Sequence, residues 1–255
     1  MGKKSFQELF QEKRPVIGTF MHIPAVEVVE IAGLCGYDLI VIDTEHTPFG
    51  METAERLILA ARAVGICPII RVSEKNESWI RKALDAGAAG IIFPNIMTAE
   101  DARLAVSLSK YAPEGTRGAC PNVRAAGYGQ RGLSYYAEAN KEVAVILLIE
   151  HICGYDNFSE ILNVPGVDAI YLGPYDLSVS MELAGQVYHP DVYEKLVDMM
   201  NRAHEKGLVC GNYSLDIDKT KEWLAQGMDF MLYNTDVSVL MQKYGADLKE
   251  LKKSE

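Results

Sequence analysis

The sequence predicts an α/β fold, a (β/α)8 TIM barrel formed as a single domain over residues 1–255. Three observations carry this expectation. Short β-branched apolar runs alternate eight times with stretches of helical period, with no linker between them. The runs are apolar throughout, as strands buried on both faces of a parallel sheet are. The length of 255 residues also matches the roughly 250 typical of an eight-stranded α/β barrel.

In chain order, strand one is expected at residues 16–21 and a helix at 25–34, then strand two at 39–43 and a helix at 51–64. Strand three falls at 68–72 with a helix at 79–85, and strand four at 90–94 with a helix at 98–111. That helix opens Thr98-x-x-Asp101, a spacing in which hydroxyl and carboxylate can each satisfy an orphan N–H. Residues 113–143 break the rhythm, being rich in glycine, arginine and turn residues, and so long a connection usually serves as a lid or another functional element. Strand five follows at 144–149, a helix at 157–162, strand six at 168–172 and a helix at 191–205. Strand seven at 208–211, a helix at 219–226, strand eight at 230–233 and a helix at 239–251 complete the count. The segments AGLCGYDLIVID, KALDAGAAGIIFP and EWLAQGMDFMLYNTD each run helix, glycine, strand, with Gly36, Gly87 and Gly227 at the joints.

A formal charge of -10 and the absence of a basic cluster exclude nucleic acid and an anionic membrane surface as partners. No apolar run reaches the roughly 20 residues of a membrane span, and the opening MGKKSFQELF lacks the apolar stretch of a signal peptide. The five cysteines are scattered with no C-x-x-C pair, which argues against a disulfide framework and a thiolate zinc site. A cytoplasmic location is expected.

Polar residues that end parallel strands converge at one mouth, where barrel enzymes carry their chemistry. Here these are Asp43, Glu45 and His46 after strand two, Arg71 at strand three, Glu150 after strand five and Asp176 after strand six. Taken singly, each reads as a cap or surface charge; convergence makes them a site. Two carboxylates, Glu150 and Asp176, with no Cys or His cluster suit a hard cation that keeps open positions, Mg²⁺ or Mn²⁺ before zinc. Such an ion polarises a ketone. Arg71, always charged and fork-shaped, suits a carboxylate or an oxyanion. No predicted strand end carries the lysine a Schiff base needs, Lys75 being nearest.

The blocks Asp43-Thr44-Glu45-His46, Ile70-Arg71, Leu84-Asp85-Ala86-Gly87, Ile149-Glu150, Gly173-Pro174-Tyr175-Asp176-Leu177-Ser178 and His189-Pro190-Asp191-Val192 resemble, in order, those of the HpcH/HpaI family of class II pyruvate aldolases. The resemblance covers about residues 14–245. It implies a barrel assembled as a homo-oligomer, commonly a hexamer, with the terminal helix exchanged between subunits. It implies cleavage of 4-hydroxy-2-oxo acids to pyruvate, or a related 2-oxo acid, and an aldehyde through a metal-stabilised enolate, with Mg²⁺ or Mn²⁺ and Co²⁺ as a further candidate. By similarity Glu150 and Asp176 ligate the metal and backbone at Tyr175 holds the pyruvyl carboxylate. His46 is the base, made more basic by Asp85 and positioned by Asp43, and Arg71 stabilises the enolate.

Departures from the family pattern fall where substrate is selected. Leu148 replaces a common Gln, and His151 stands where Thr or Ser is usual, open to a role as ligand, base or exposed side chain. CGNYS and YNTD replace the usual turns after strands seven and eight, and Cys120-Pro121 interrupts the loop between Arg117-Gly118 and Arg124-Ala125. Two other readings stay open: a citrate-lyase-superfamily lyase acting on a coenzyme A thioester, and a non-catalytic binding protein on the same scaffold.

Overall fold

Eight parallel strands close into a barrel in sequence order, β1 pairing with both β2 and β8, in a computed structural model that describes residues 5–12 and 14–253. The strands are β1 (Val16–Met21), β2 (Leu39–Asp43), β3 (Cys67–Arg71), β4 (Gly90–Phe93), β5 (Ala144–Ile149), β6 (Ala169–Leu172), β7 (Val209–Ser214) and β8 (Phe230–Thr235). Around them lie α1 (Val26–Leu34), α2 (Met51–Val64), α3 (Glu77–Ala86), α4 (Ala99–Ser109), α5 (Ser134–Glu142), α6 (Ile152–Asp156), α7 (Phe158–Ile161), α8 (Pro174–Ser180), α9 (Pro190–Glu205), α10 (Ile217–Ala225) and α11 (Asp236–Leu251).

Strand residues alternate between two cores, because successive side chains point to opposite faces. Leu39, Val41, Cys67, Ile69, Ile146, Leu148, Tyr171, Phe230 and Leu232 fill the barrel interior, while Ile40, Ile42, Ile70, Leu147 and Ile170 face the helices. Gly211 is required by this filling: a Cβ there would lie 2.1 Å from the Phe230 ring, which occupies the space beside β7. The N-terminal end is stoppered by the turn Gln7–Phe10, whose neighbour Phe6 meets Phe230 edge-on at 5.7 Å.

All eight expected strands form. β7 and β8 run further than the sequence pattern suggests, since Ser214 still pairs with Tyr233; ladder hydrogen bonds come from the backbone and continue through polar Asn212, Ser214, Asn234 and Thr235. Thr98 and Asp101 make the expected reciprocal cap. The helix expected at 157–162 is instead two short ones, α6 and α7, meeting at Asn157. Within the segment at 113–143, α5 forms without an apolar period, packing Tyr135 and Ala139 against Tyr111 and Ala126.

That segment joins the end of α4 to the start of β5 and therefore lies at the N-terminal rim. It cannot close over the mouth of its own barrel, so the lid expectation does not hold within one chain. Its Arg117 stacks over Tyr111 at 4.4 Å. The last helix, α11, buries only Asp236 and exposes Val239, Leu240, Met241, Tyr244, Leu248 and Leu251.

Candidate active site

Period-2 alternation carries the inward face past the last barrel layer and into the mouth. Leu39 and Val41 are followed by Asp43, Cys67 and Ile69 by Arg71, Ile146 and Leu148 by Glu150, and Phe20 by His22. The register holds Asp43 beside Arg71. The result is a cavity of about 170 Å³ lined by Phe20, His22, Arg71, Leu148, Glu150, Tyr171, Gly173, Pro174, Tyr175, Asp176, Tyr213 and Thr235.

Asp43, fully buried, is the organising group. Its Oδ1 accepts from Arg71 Nε at 3.0 Å and its Oδ2 from Arg71 Nη2 at 2.7 Å, a bidentate clamp. Oδ1 also accepts from the backbone N–H groups of Glu45 (3.0 Å) and His46 (3.3 Å). Burial opposes ionisation of Asp43, but bonds with His22 and Arg71 outweigh it and hold the carboxyl well below the usual range. Burial likewise opposes the charge on Arg71; the Asp43 bond prevails and raises its pKa. The guanidinium, thus fixed, lies 4.7 Å above the Phe20 ring.

Glu150 is in the opposite condition. It is buried and accepts one hydrogen bond, from Asn95 N at 2.8 Å, delivered by a left-handed Asn95 backbone (φ 54°). Burial, with repulsion from Glu45 and Asp176, pushes its carboxyl up to about 7. Glu45 is also raised, chiefly by burial; its Oε2 is buried without a hydrogen bond, 3.3 Å from Arg71 Nε. Gly173 keeps room for Glu150, since a Cβ there would stand 2.5 Å from the Glu150 Cβ. Asp176 sits exposed in the first turn of α8, with Pro174 preset for the helix start.

Asp43 and Glu45 thus take up the one guanidinium, while Glu150 and Asp176 pair with no Lys, Arg or His among the described residues. Two carboxylates supplying oxygen donors and repelling one another, Glu150 and Asp176, fit a hard divalent ion. Among the described residues no group of three or more His, Cys, Asp or Glu side chains is placed to hold a metal ion, so the case for one rests on the Glu150 and Asp176 pair.

Of the sequence-derived candidates, Asp43, Arg71, Glu150, Tyr175 and Asp176 come together. His46 stands beside the cavity with its side chain 60% exposed and its Nε2 3.7 Å from Glu45 Oε2; Asp43 holds its backbone rather than its ring. Asp85 does not meet His46 within one chain. It lies near the C-terminal end of α3, at the opposite rim, where Arg117 Nη2 donates to it at 2.7 Å. His151 caps α6, its Nδ1 accepting from Cys153 N at 3.1 Å. Lys75 is paired with Asp101 at 2.9 Å and is not among the cavity residues.

His22, Tyr171, Tyr213 and Thr235 also line the cavity, although no sequence motif marks them. His22 follows strand one as Glu150 follows strand five, so the same strand-end rule finds it. Its Nε2 lies 2.9 Å from Asp43 Oδ2, and Asp236 accepts from its backbone N–H at 3.0 Å.

A buried arginine opposite a cation-seeking carboxylate pair, at the C-terminal mouth of a parallel barrel, defines a barrel enzyme built to stabilise negative charge on a small oxygen-rich substrate. The chain belongs to the HpcH/HpaI aldolase/citrate lyase family, whose profile matches residues 17–242. It is 34% identical to a Pseudomonas putida 2-dehydro-3,6-dideoxy-6-sulfogluconate aldolase, with 92% of each chain covered. It is 32% identical to a hydroxypyruvate/pyruvate aldolase of Paraburkholderia phytofirmans, over 95% of each. The crystal structure of an HpcH/HpaI aldolase from Desulfitobacterium hafniense superposes with a TM-score of 0.94 at 27% identity, covering 98% of both chains. The chain is an enzyme of the carbon–carbon lyase class, an aldolase.

Proposed function

We propose that this aldolase cleaves, and in reverse forms, 4-hydroxy-2-oxo acids, yielding pyruvate or a close 2-oxo acid and an aldehyde. The observation that carries the reading is the pairing of uncompensated Glu150 and Asp176 with an arginine that Asp43 holds rigid across the cavity. Glu150 and Asp176 would hold Mg²⁺ or Mn²⁺, with Co²⁺ an alternative; bound there, the ion supplies Lewis-acid polarisation of a 2-oxo acid. The start of α8 at Tyr175 offers backbone N–H groups to the substrate carboxylate.

In cleavage, the C4 hydroxyl gives its proton toward His46, the C3–C4 bond breaks, and its electron pair passes to the 2-oxo acid half as an enolate. Arg71 faces that developing oxyanion with donors already oriented, so little reorganisation is needed. Protonation at C3 completes pyruvate. Asp43 contributes by fixing Arg71 and the backbone of His46, and Asp85 reaches a His46 ring only from a neighbouring copy. The apolar face of α11 supports a homo-oligomer, in line with an exchanged terminal helix and a hexamer. No helix among the described residues is long and apolar enough to cross a membrane, in keeping with a cytoplasmic enzyme. A coenzyme A thioester gains no support, because among the described residues Arg71 is the one Lys or Arg lining the cavity.

The test is exchange of the pyruvate methyl protons with deuterium, followed by NMR. Exchange that requires Mg²⁺ or Mn²⁺, stops with EDTA and is lost in His46→Ala supports the reading. Exchange by folded wild-type protein that is undiminished in EDTA, or its absence with every metal tried, refutes it.

A further inference from the structure

His22 takes no part in that proton transfer, yet its backbone is firmly held at the mouth. Its backbone N–H reaches both oxygens of Asp236 at 3.0 Å, and Ile23 N donates to the same carboxylate at 2.9 Å. The ring tilts against Phe20 at 6.1 Å. Its buried Nε2 lies 2.9 Å from Asp43 Oδ2, within proton-sharing distance although off the ideal line. Asp43 is ionised, so it favours the tautomer with the proton on Nε2 and leaves Nδ1 as a bare acceptor. Nδ1 makes no hydrogen bond among the described residues, and the side chain, 24% exposed, lines the cavity.

Topology says which part of a substrate would meet it. In the ring of eight strands, β1 stands across from β5, whose end carries Glu150. Resting on the aldolase reading, a 2-oxo acid held at Glu150 and Asp176 points its far end toward His22, Tyr213 and Thr235 on β1, β7 and β8. That far end is the half that leaves as the aldehyde. The walls there are aromatic: Phe20 and Tyr213 meet edge-on at 5.7 Å, and Tyr175 and Tyr213 stand 6.1 Å apart. Such rings accept C–H faces and exclude water, which makes a lone acceptor among them discriminating.

We infer that His22 Nδ1 accepts a hydrogen bond from a hydroxyl on the aldehyde half of the substrate, so that the enzyme selects α-hydroxy aldehydes over their deoxy counterparts. The role is one of specificity, separate from the proton transfer assigned to His46.

The experiment is condensation of pyruvate with glycolaldehyde and with acetaldehyde, comparing kcat/KM for wild type, His22→Phe, His22→Asn and His22→Gln. Wild type prefers glycolaldehyde, and His22→Phe loses about tenfold of that preference, the worth of one hydrogen bond. His22→Asn, whose amide overlays the Nδ1 edge, retains most of it, whereas His22→Gln, whose amide reaches toward Asp43, does not. A wild type indifferent between the aldehydes, or a His22→Phe variant that slows both equally or keeps the preference, overturns the inference. Wild-type protein that condenses pyruvate with neither aldehyde refutes the pyruvate-based reading on which this inference rests, and the inference with it.

Discussion

Replacing Glu150 by Gln is predicted to make the metal-free protein more stable at alkaline pH. In the folded chain the Glu150 carboxyl is pushed up, chiefly by burial, to about 7 from an ordinary 4.5. The folded state thus holds this proton more tightly than the unfolded state does. The associated stability is fully present below about pH 4.5 and is lost as pH rises through about 7. At about 1.4 kcal/mol per pH decade, the ionised form carries a penalty of about 3 kcal/mol at pH 8. Glutamine has the same shape, keeps an oxygen for Asn95 N, and carries no charge. For a chain of this size the gain corresponds to roughly 6–12 °C in Tm. The assay is thermal unfolding of wild type and Glu150→Gln in EDTA at pH 5 and pH 8. The gap should be small at pH 5 and open at pH 8. Mg²⁺ at about 100 times its Kd should then raise wild type by about 2.7 kcal/mol and leave the variant unmoved. A gap that does not widen with pH, or a variant less stable than wild type at pH 8, would refute the claim that surplus negative charge awaits a cation there.

Arg71→Ala is expected to lower turnover by about a hundredfold or more and also to destabilise the fold by about 3–5 kcal/mol, because buried Asp43 loses its clamp; kinetics and denaturant midpoints measure the two separately. His46→Ala should match that kinetic loss while leaving the denaturant midpoint nearly unchanged, since its side chain is 60% exposed. Gly173→Ala forces a methyl to within 2.5 Å of the Glu150 Cβ and should weaken Mg²⁺ binding at least tenfold by calorimetry.

Much of this was legible in the residues because barrel strands advertise themselves. Leu39-Ile40-Val41-Ile42 and Ala144 to Ile149 are apolar on both faces, and each run ends abruptly in a carboxylate, Asp43 or Glu150. Asp43, Arg71, Glu150 and Asp176 were all reachable by that rule. Asp85 was not placed by it: that expectation came from resemblance alone, and α3 carries this carboxylate away from the mouth of its own barrel, to Arg117. His22 was overlooked although VIGTFMH ends as plainly as IVID does, since a lone histidine draws less notice than a block. Tyr171 and Tyr213 were hidden by their own chemistry. A tyrosine within a strand reads as core, and only the closed ring of strands shows that these two line the cavity floor and wall.

The grip of Asp236 on the backbone of His22 and Ile23 sets an order of events during synthesis. The first strand of the barrel leaves the ribosome early, but the carboxylate that shapes its end lies at the start of the last helix, α11, and its other neighbour in the sheet is β8. A nascent chain can assemble most of the cylinder and still lack a finished mouth. Competence for chemistry arrives with the final helix, so fragments that stop short of residue 236 should be inert even where they fold.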